Sequence, residues 1–327
     1  MLAYRALSKG SGRGRRLVLN ASAKVNLTLE VLGKRADGYH EIATVLQAVD
    51  LSDRLMLDDA DSLELETDIE GVPTRADNLV LRAATLLRNA AGVDRGARIR
   101  LEKRIPVAAG LGGGSSDAAA TLWGLNRLWR LRWGSERLVD LAVQLGMDAP
   151  FFLGTGRALA TGRGERLKRL SADGAYALVL VNPNRPLSTG EVYARVTEAV
   201  FSDGARGQAM IEALARRNAA LVAASLYNGL EQVVEPANPV IGHMKGALLG
   251  AGALGAVMSG SGPTVFGIAR SLDHARQIRT RVARASWSCW SVRTVSGAPI
   301  RLMRSESTVE HRGPLDDNGS RWGVAKR

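Results

Sequence analysis

Pro106-Val107-Ala108-Ala109-Gly110-Leu111-Gly112-Gly113-Gly114-Ser115-Ser116-Asp117 decides how this chain is read. Four glycines in five positions strip the backbone of Cβ atoms just before an apolar-periodic segment. Such a backbone reaches positive φ without strain and turns successive N–H groups toward an anion, and the N-terminus of a following helix adds partial positive charge. A helix is expected next, because Leu122, Leu125, Leu128 and Trp129 share one 3.6-period face, Ser115 or Ser116 offers a cap, and Asp117 suits the first turn. No lysine follows the glycines, so the Gly-Lys-Ser/Thr phosphate loop is excluded. Alone, the run also reads as a mobile turn, although flexible linkers seldom lead straight into a capped amphipathic helix.

The 327 residues, 46% apolar and 5% aromatic, suffice for two domains with separate cores. No apolar run reaches the ~18 residues of a membrane span, and the basic start lacks the apolar stretch of a secretion signal. Cys289 is the sole cysteine, which excludes an intrachain disulfide and a cysteine-ligated metal cluster and fits a reducing compartment. A cytoplasmic location is therefore expected. The net charge of +12 suggests nucleic acid at first sight. Much of it lies at the ends, however, with Arg5, Lys9, Arg13, Arg15 and Arg16 unopposed in residues 1–16 and six basic against four acidic residues in 301–327. The body scatters its basic residues among acids with few aromatics between them, a weak pattern for nucleic acid that suits small polyanionic substrates. Neither nucleic acid nor membrane is expected as a partner, and assembly stays open between monomer and weak dimer.

Residues 1–16 have the composition of a disordered basic arm. From Ala23 the chain alternates, with Val25, Leu27, Leu29 and Val31 on one side and Lys24, Asn26, Thr28 and Glu30 on the other, as expected of a strand with one buried face. Further strands are expected near 42–57, 62–69 and 97–103, and helices at 77–91 and 135–145. Strands then resume at 157–161 and 176–181, with helices at 190–200, 207–215, 218–226 and 238–249 and strands at 256–258 and 264–268. The resulting division is an N-terminal domain over 17–165, a C-terminal domain over 170–298 and a disordered tail over 299–327. A chain trimmed to 17–298 is expected to keep its turnover. Gly250-Ala251-Gly252-Ala253-Leu254-Gly255 fits the dinucleotide pattern G-x-G-x-x-G but follows an expected helix and precedes a strand, the reverse of what that motif needs.

Four separated stretches could meet in space and together serve a phosphoryl transfer: Lys24 and Asn26, the Gly-rich run, Gly146-Met147-Asp148-Ala149-Pro150, and Ser259-Gly260-Ser261-Gly262. Such a reaction needs a triphosphate held, developing charge neutralised and an acceptor hydroxyl oriented or deprotonated. The Gly-rich run suits the first task, Lys24 the second and Asp148 the third. Each has a plainer alternative. Asp148, two residues before Pro150 and after a helix-closing Gly146, reads as a helix N-cap, Lys24 as a solvated strand residue, Tyr39 and His40 as the end of a turn.

Order and wording together resemble the GHMP kinases, which carry Ala23-Lys24-Val25-Asn26-Leu27 early, Pro106 to Ala119 in the middle and Met258-Ser259-Gly260-Ser261-Gly262-Pro263 late. Arg35-Ala36-Asp37-Gly38-Tyr39-His40-Glu41 narrows the resemblance to the branch whose acceptor is a cytidine diphosphate derivative of a small polyol in non-mevalonate isoprenoid synthesis. A GHMP kinase for another alcohol, of homoserine or mevalonate type, is the alternative, and a basic nucleic-acid module the non-enzymatic one. The resemblance covers about Leu17 to residue 297 and implies a two-domain α+β fold with the active site in the inter-domain cleft. It implies ATP with Mg²⁺, with the metal ligands unassigned. It makes Asp148 the base toward the acceptor hydroxyl with Lys24 as its partner. It puts Pro106, Ala108, Gly110, Leu111, Gly112, Gly113, Gly114, Ser115 and Ser116 around the ATP phosphates, with Asn78 and Lys103 near the nucleoside. Asn26, Tyr39, His40, Thr189 and Tyr193 fall to the acceptor and its cytosine, and Gly260, Ser261 and Gly262 to the diphosphate. Met147, Ala149 and Gly229 depart from the family's usual residues.

Overall fold

A computed structural model describes residues 15–69 and 77–307; residues 1–14 of the arm expected over 1–16 and the tail beyond 307 lie outside the described residues. Arg15 and Arg16, expected in that arm, instead open the first strand and pair with its neighbours. Its strands are β1 (Arg15–Lys34), β2 (His40–Ala60), β3 (Leu63–Thr67), β4 (Gly96–Glu102), β5 (Arg157–Gly162), β6 (Arg166–Arg169), β7 (Ala177–Asn182), β8 (Tyr227–Asn228), β9 (Gly255–Met258), β10 (Val265–Ala269), β11 (Ser288–Arg293) and β12 (Ile300–Ser307). β1 and β2 form one long antiparallel hairpin. It turns at Arg35–Tyr39, where Asp37 accepts the Tyr39 N–H at 3.1 Å and Gly38 takes φ 84°. The first sheet runs β12-β1-β2-β4-β3, with β5 also on β2, β6 on β5 and β8 on β1.

Helices α1 (Leu79–Ala91), α2 (Gly113–Leu128), α3 (Ser135–Val143) and α4 (Ala149–Phe152) belong to this first layer. α2 is buried along most of its length, the expected Leu122, Leu125, Leu128 and Trp129 included. It lies close against the hairpin, since a Cβ on Gly124 would stand 2.3 Å from Leu57 and 2.7 Å from Leu19. Neither serine caps it. The N-cap is Gly112, at φ 69°, and the Ser116 hydroxyl donates instead to the Ser22 carbonyl at 2.7 Å.

The second sheet, β11-β7-β10-β9, is antiparallel and covered on both faces. Ala177, Val179 and Val181 of β7 join the cluster of α9 (Val240–Gly250) and α10 (Leu272–Val282), while Leu178 and Leu180 join that of α6 (Ala205–Ala215) and α7 (Ala219–Ala224). Two-sided burial explains why this strand is an uninterrupted apolar run rather than an alternation. α5 (Thr189–Ala194) and α8 (Glu231–Val234) complete the second half, which makes the fold α+β. The rejected dinucleotide motif lies between α9 and β9, helix first.

Two further expectations are corrected. β1 is buried on both faces: Lys24 is 4% exposed, and Asn26, Thr28 and Glu30 are also inside. Its apolar residues span three clusters, Leu17 to Ala21 in the first, Ala23 to Leu27 in the second and Leu29 with Val31 in the third. The polar row faces the junction of the two halves, which alternation along one strand does not reveal. The expected tail contains β12, whose Ile300 to Ser307 pair antiparallel with Ala21 to Arg15, and Val295 and Ile300 pack into the first cluster. The chain thus returns to the sheet where it began, and trimming to 17–298 removes an edge strand and buried Ile300. Burial of one such side chain contributes about 1.5–3 kcal/mol. A chain trimmed to 17–298 should therefore melt well below one trimmed to 15–307 in a thermal unfolding scan.

Candidate active site

A cleft of about 1360 Å³ opens where the two sheets meet. Lys24 and Asn26, from the polar row of β1, form part of its floor. Lys24 Nζ donates to Asn26 Oδ1 at 2.8 Å, Asn26 Nδ2 to Thr44 Oγ1 at 2.8 Å, and Thr44 Oγ1 to the Thr28 carbonyl at 2.5 Å. This relay fixes the lysine's direction before any ligand arrives. Lys24 Nζ stands 3.3 Å from Asp148 Oδ2, with the lysine side chain buried and that of the aspartate 36% exposed.

Asp148 precedes α4 but does not cap it. Its backbone is right-handed helical, at φ −82° and ψ −20°, and its side chain makes no cap hydrogen bond. Buried Phe151 and Phe152 anchor α4, and Phe152 with Lys24 crowds Gly112, where a Cβ would meet both at 3.0 Å. The N-cap alternative therefore fails on geometry, and the carboxylate faces the cleft.

The Gly-rich run crosses between the two halves. Leu111 O accepts the Lys24 N–H at 2.9 Å, Ala109 O the Thr264 N–H at 3.4 Å, and Gly110 O the Ser259 hydroxyl at 3.0 Å. Ala108, Gly110 and Gly112 take φ of 50°, 74° and 69°, and α2 then begins at Gly113. The first N–H groups of a helix have no intrahelical acceptor, so the start of α2 presents donors and dipole to the cleft. The late glycine turn is tied in from the other side, where Asn228 Nδ2 donates to the Met258 and Gly260 carbonyls, both at 2.7 Å.

Behind the run, Lys103 is buried between two carboxylates. Its Nζ contacts Asp53 and lies 2.8 Å from Asp117 Oδ2, while Asp53 Oδ1 accepts the Arg104 and Ile105 N–H groups at 2.5 and 2.8 Å. Burial, opposed by Lys103 and reinforced by Asp53, pushes the Asp117 carboxyl up to about 7. Burial would lower Lys103, but the two carboxylates outweigh it and hold the ammonium above its ordinary value. Asp117 Oδ1 has no partner among the described residues.

The far end is aromatic. His40 and Tyr193 lie with ring centroids 5.5 Å apart and planes tilted 32°, Phe201 meets His40 edge-on at 6.4 Å, and Arg163 stands 5.1 Å over the half-exposed Tyr39 ring. Burial and then Lys34 hold the His40 imidazole below its ordinary value. Burial, then Asp148, raises the Tyr193 hydroxyl. Thr189 Oγ1 and Ser261 Oγ share a 2.8 Å hydrogen bond across the two stretches.

Most of the residues singled out in the sequence therefore meet: Lys24, Asn26, Tyr39, His40, Asn78, Lys103, Pro106, Ala108, Gly110, Gly112 to Ser115, Asp148, Thr189, Tyr193, Gly260 and Ser261 all border the cleft. Three do not. Leu111 is buried in the second cluster, Ser116 is spent on Ser22, and a Cβ on Gly262 would point at Met258 Sδ, 2.5 Å away, so these three act through backbone or packing. Thr44, Asp117 and Arg163 border the cleft without having been singled out as site residues. Thr44 becomes visible only through the β1–β2 register. The lone arginine in Gly162-Arg163-Gly164 was the available signal for the third.

A glycine loop feeding a helix, a lysine–carboxylate pair and an aromatic pocket in one cleft define a small-molecule phosphotransferase. Comparison with known proteins agrees: the GHMP kinases N terminal domain matches residues 78–156 and the GHMP kinases C terminal domain residues 210–289. The 4-diphosphocytidyl-2-C-methyl-D-erythritol kinase of Pelotomaculum thermopropionicum is 49% identical over 84% of this chain and 96% of its own. A crystal structure of 4-(cytidine 5'-diphospho)-2C-methyl-D-erythritol kinase superposes with a TM-score of 0.75 at 38% identity, covering 86% of this chain and 100% of its own. Homoserine kinase from Cytophaga hutchinsonii superposes at 0.68 but is 18% identical, over 91% of this chain and 100% of its own, a likeness of fold alone. The chain belongs to the GHMP kinases and, within them, to the 4-diphosphocytidyl-2-C-methyl-D-erythritol kinases. No helix among the described residues is long and apolar enough to cross a membrane.

Proposed function

We propose that this kinase transfers the γ-phosphoryl group of ATP to the 2-hydroxyl of 4-diphosphocytidyl-2-C-methyl-D-erythritol, with Asp148 and Lys24 as the catalytic pair. The observation that carries this is the Lys24–Asp148 contact at 3.3 Å, between the start of α2 and the aromatic pocket. The acceptor hydroxyl gives its proton to the Asp148 carboxylate as its oxygen bonds to the γ-phosphorus, and the bond from that phosphorus to the bridging oxygen breaks to release ADP. The Lys24 ammonium, aimed by Asn26 and Thr44, faces the negative charge that builds on the transferring group. Pro106 to Ser115 cradle the phosphates, and Asn78 and Lys103 flank the nucleoside.

Mg²⁺ fits this cleft. No cluster of three or more His, Cys, Asp or Glu side chains is present among the described residues, but Mg²⁺ commonly takes one or two carboxylates and completes its shell with phosphate oxygens and water. The unpartnered Asp117 Oδ1 would supply that carboxylate oxygen, and the ion would offset charge on the β- and γ-phosphates.

The cytosine is assigned to the aromatic pocket of His40, Tyr193 and Tyr39, where stacking is worth about 1–3 kcal/mol per aromatic contact. Tyr193→Ala should raise the KM for the cytidine substrate several-fold or more and leave that for ATP nearly unchanged, as steady-state kinetics in each substrate will read. His40 titrates below the ordinary imidazole value, so its neutral form persists as pH falls through ~6.5. Substrate affinity should hold from pH 8 to that point and weaken only below it. Offering the enzyme homoserine, mevalonate and the cytidine substrate separately, and measuring ADP release, tests the assignment: turnover of the cytidine substrate alone is expected, and preference for either of the others overturns it.

A further inference from the structure

A second cavity, of about 670 Å³, opens beside the C-terminal end of α2, at the turn that leads into α3. Four arginines line it: Arg15 from the start of β1, Arg127 from the last turn of α2, and Arg130 and Arg132 from the turn itself. No carboxylate lines it, and none of the four pairs with a carboxylate among the described residues. Like charges gathered in one concavity repel one another, and the positive potential they create there is unopposed.

The arginines are held in place by neutral contacts, which orient their charge without cancelling it. Asn126, 8% exposed, donates from Nδ2 to the Trp133 carbonyl at 3.1 Å and accepts the Trp133 N–H at 3.0 Å, so one side chain ties the turn to α2. The Arg127 guanidinium lies 4.0 Å over the Trp123 ring. Arg15 donates from Nη1 to the Arg127 carbonyl at 3.3 Å and from Nε and Nη2 to Ser305 Oγ at 3.4 Å. Arg130 and Arg132 take φ of 57° and 59°, a left-handed backbone that glycine adopts more readily. Both side chains are exposed, so burial does not explain an arginine at either position. Strained backbone of this kind gathers where a side chain has work to do.

We infer that this cavity is a binding site for a small oligophosphate anion, one carrying two or more phosphate groups, engaged by Arg127, Arg130 and Arg132 together with Arg15. Each guanidinium fork matches a pair of phosphate oxygens, so four of them suit a chain of phosphates better than a single one. The site is separate from the catalytic cleft. α2 runs 16 residues, ~24 Å, from its start at the Gly-rich run to its end at this cavity.

Equilibrium dialysis with radiolabelled inorganic triphosphate tests this, using the full chain saturated with a non-hydrolysable ATP analogue so that the cleft's phosphate positions are filled. One further saturable equivalent per chain is expected, with monophosphate bound at least ~10-fold more weakly. Arg130→Gly and Arg132→Gly suit the left-handed backbone and should leave the melting temperature close to that of the parent. Each should weaken triphosphate about 10-fold or more, the usual loss for a charge-assisted hydrogen bond. Arg216→Ala is the control for net charge: it removes an exposed arginine just beyond α6 and should leave binding unchanged. The site is overturned if no saturable triphosphate binds beyond the cleft, if neither glycine variant weakens it, or if Arg216→Ala weakens it as much. Equal affinity for monophosphate overturns the oligophosphate assignment, and tighter binding of a short single-stranded DNA at equal salt replaces it with a nucleic-acid surface.

Discussion

Replacing Asp148 by asparagine is expected to lower kcat by roughly 10²–10⁴-fold, the range of general-base assistance, with a melting temperature close to that of the parent. Shape is kept and basicity lost. Asparagine is as good an N-cap as aspartate, and no cap bond is present to lose, so a helix-end role predicts no change in turnover. Lys24→Ala should cost a comparable factor, and the double variant should be little worse than either single one, because residues that act as one unit do not contribute additively. Losses that multiply in full would mean that the 3.3 Å contact is not a working pair.

Gly110→Ala is the second large effect, with kcat/KM for ATP expected to fall by about 10²-fold. Gly110 sits at φ 74°, where a side chain is strained, and its added Cβ would lie 2.2 Å from the Ser259 carbonyl oxygen and 3.0 Å from that of Gly262. Both obstacles are backbone, so the run itself must shift, and a displacement of about 1 Å at a reacting centre costs on that order. Gly246→Ala is the control: nothing lies within 4 Å of its added Cβ, and α9 should accept alanine with a gain near 1 kcal/mol. Were the Gly-rich run a mobile turn, Gly110→Ala would behave like the control.

The contrast between these positions shows which parts of the molecule are legible in a sequence. The presence of α2, its apolar face and the strand at β7 follow from the local pattern, and motif order pointed distant segments toward one cleft before any contact was known. Properties made by pairing were not legible. β1 alternates like a half-exposed strand, yet its polar row is covered because the second half of the chain closes over it. Ile300 to Ser307 look like tail because Arg301 to Ser305 are exposed, so backbone pairing with β1 rather than an apolar face holds most of the strand. Ser116 resembled a cap and instead holds the Ser22 carbonyl, since the helix begins earlier, on a glycine with positive φ. Asp117 resembled a first-turn acid and is a buried partner of Lys103, 14 positions before it, which Asp53 of β2 shares.

The most direct test of the account is a mass measurement. The purified enzyme is incubated with ATP, Mg²⁺ and 4-diphosphocytidyl-2-C-methyl-D-erythritol, in parallel with its Asp148→Asn variant. The account predicts that the acceptor gains the mass of one phosphoryl group, at the 2-hydroxyl on fragmentation, and that the gain almost disappears in the variant. An unmodified acceptor with folded, ATP-binding enzyme, or a phosphoryl group added equally well by the variant, would contradict it.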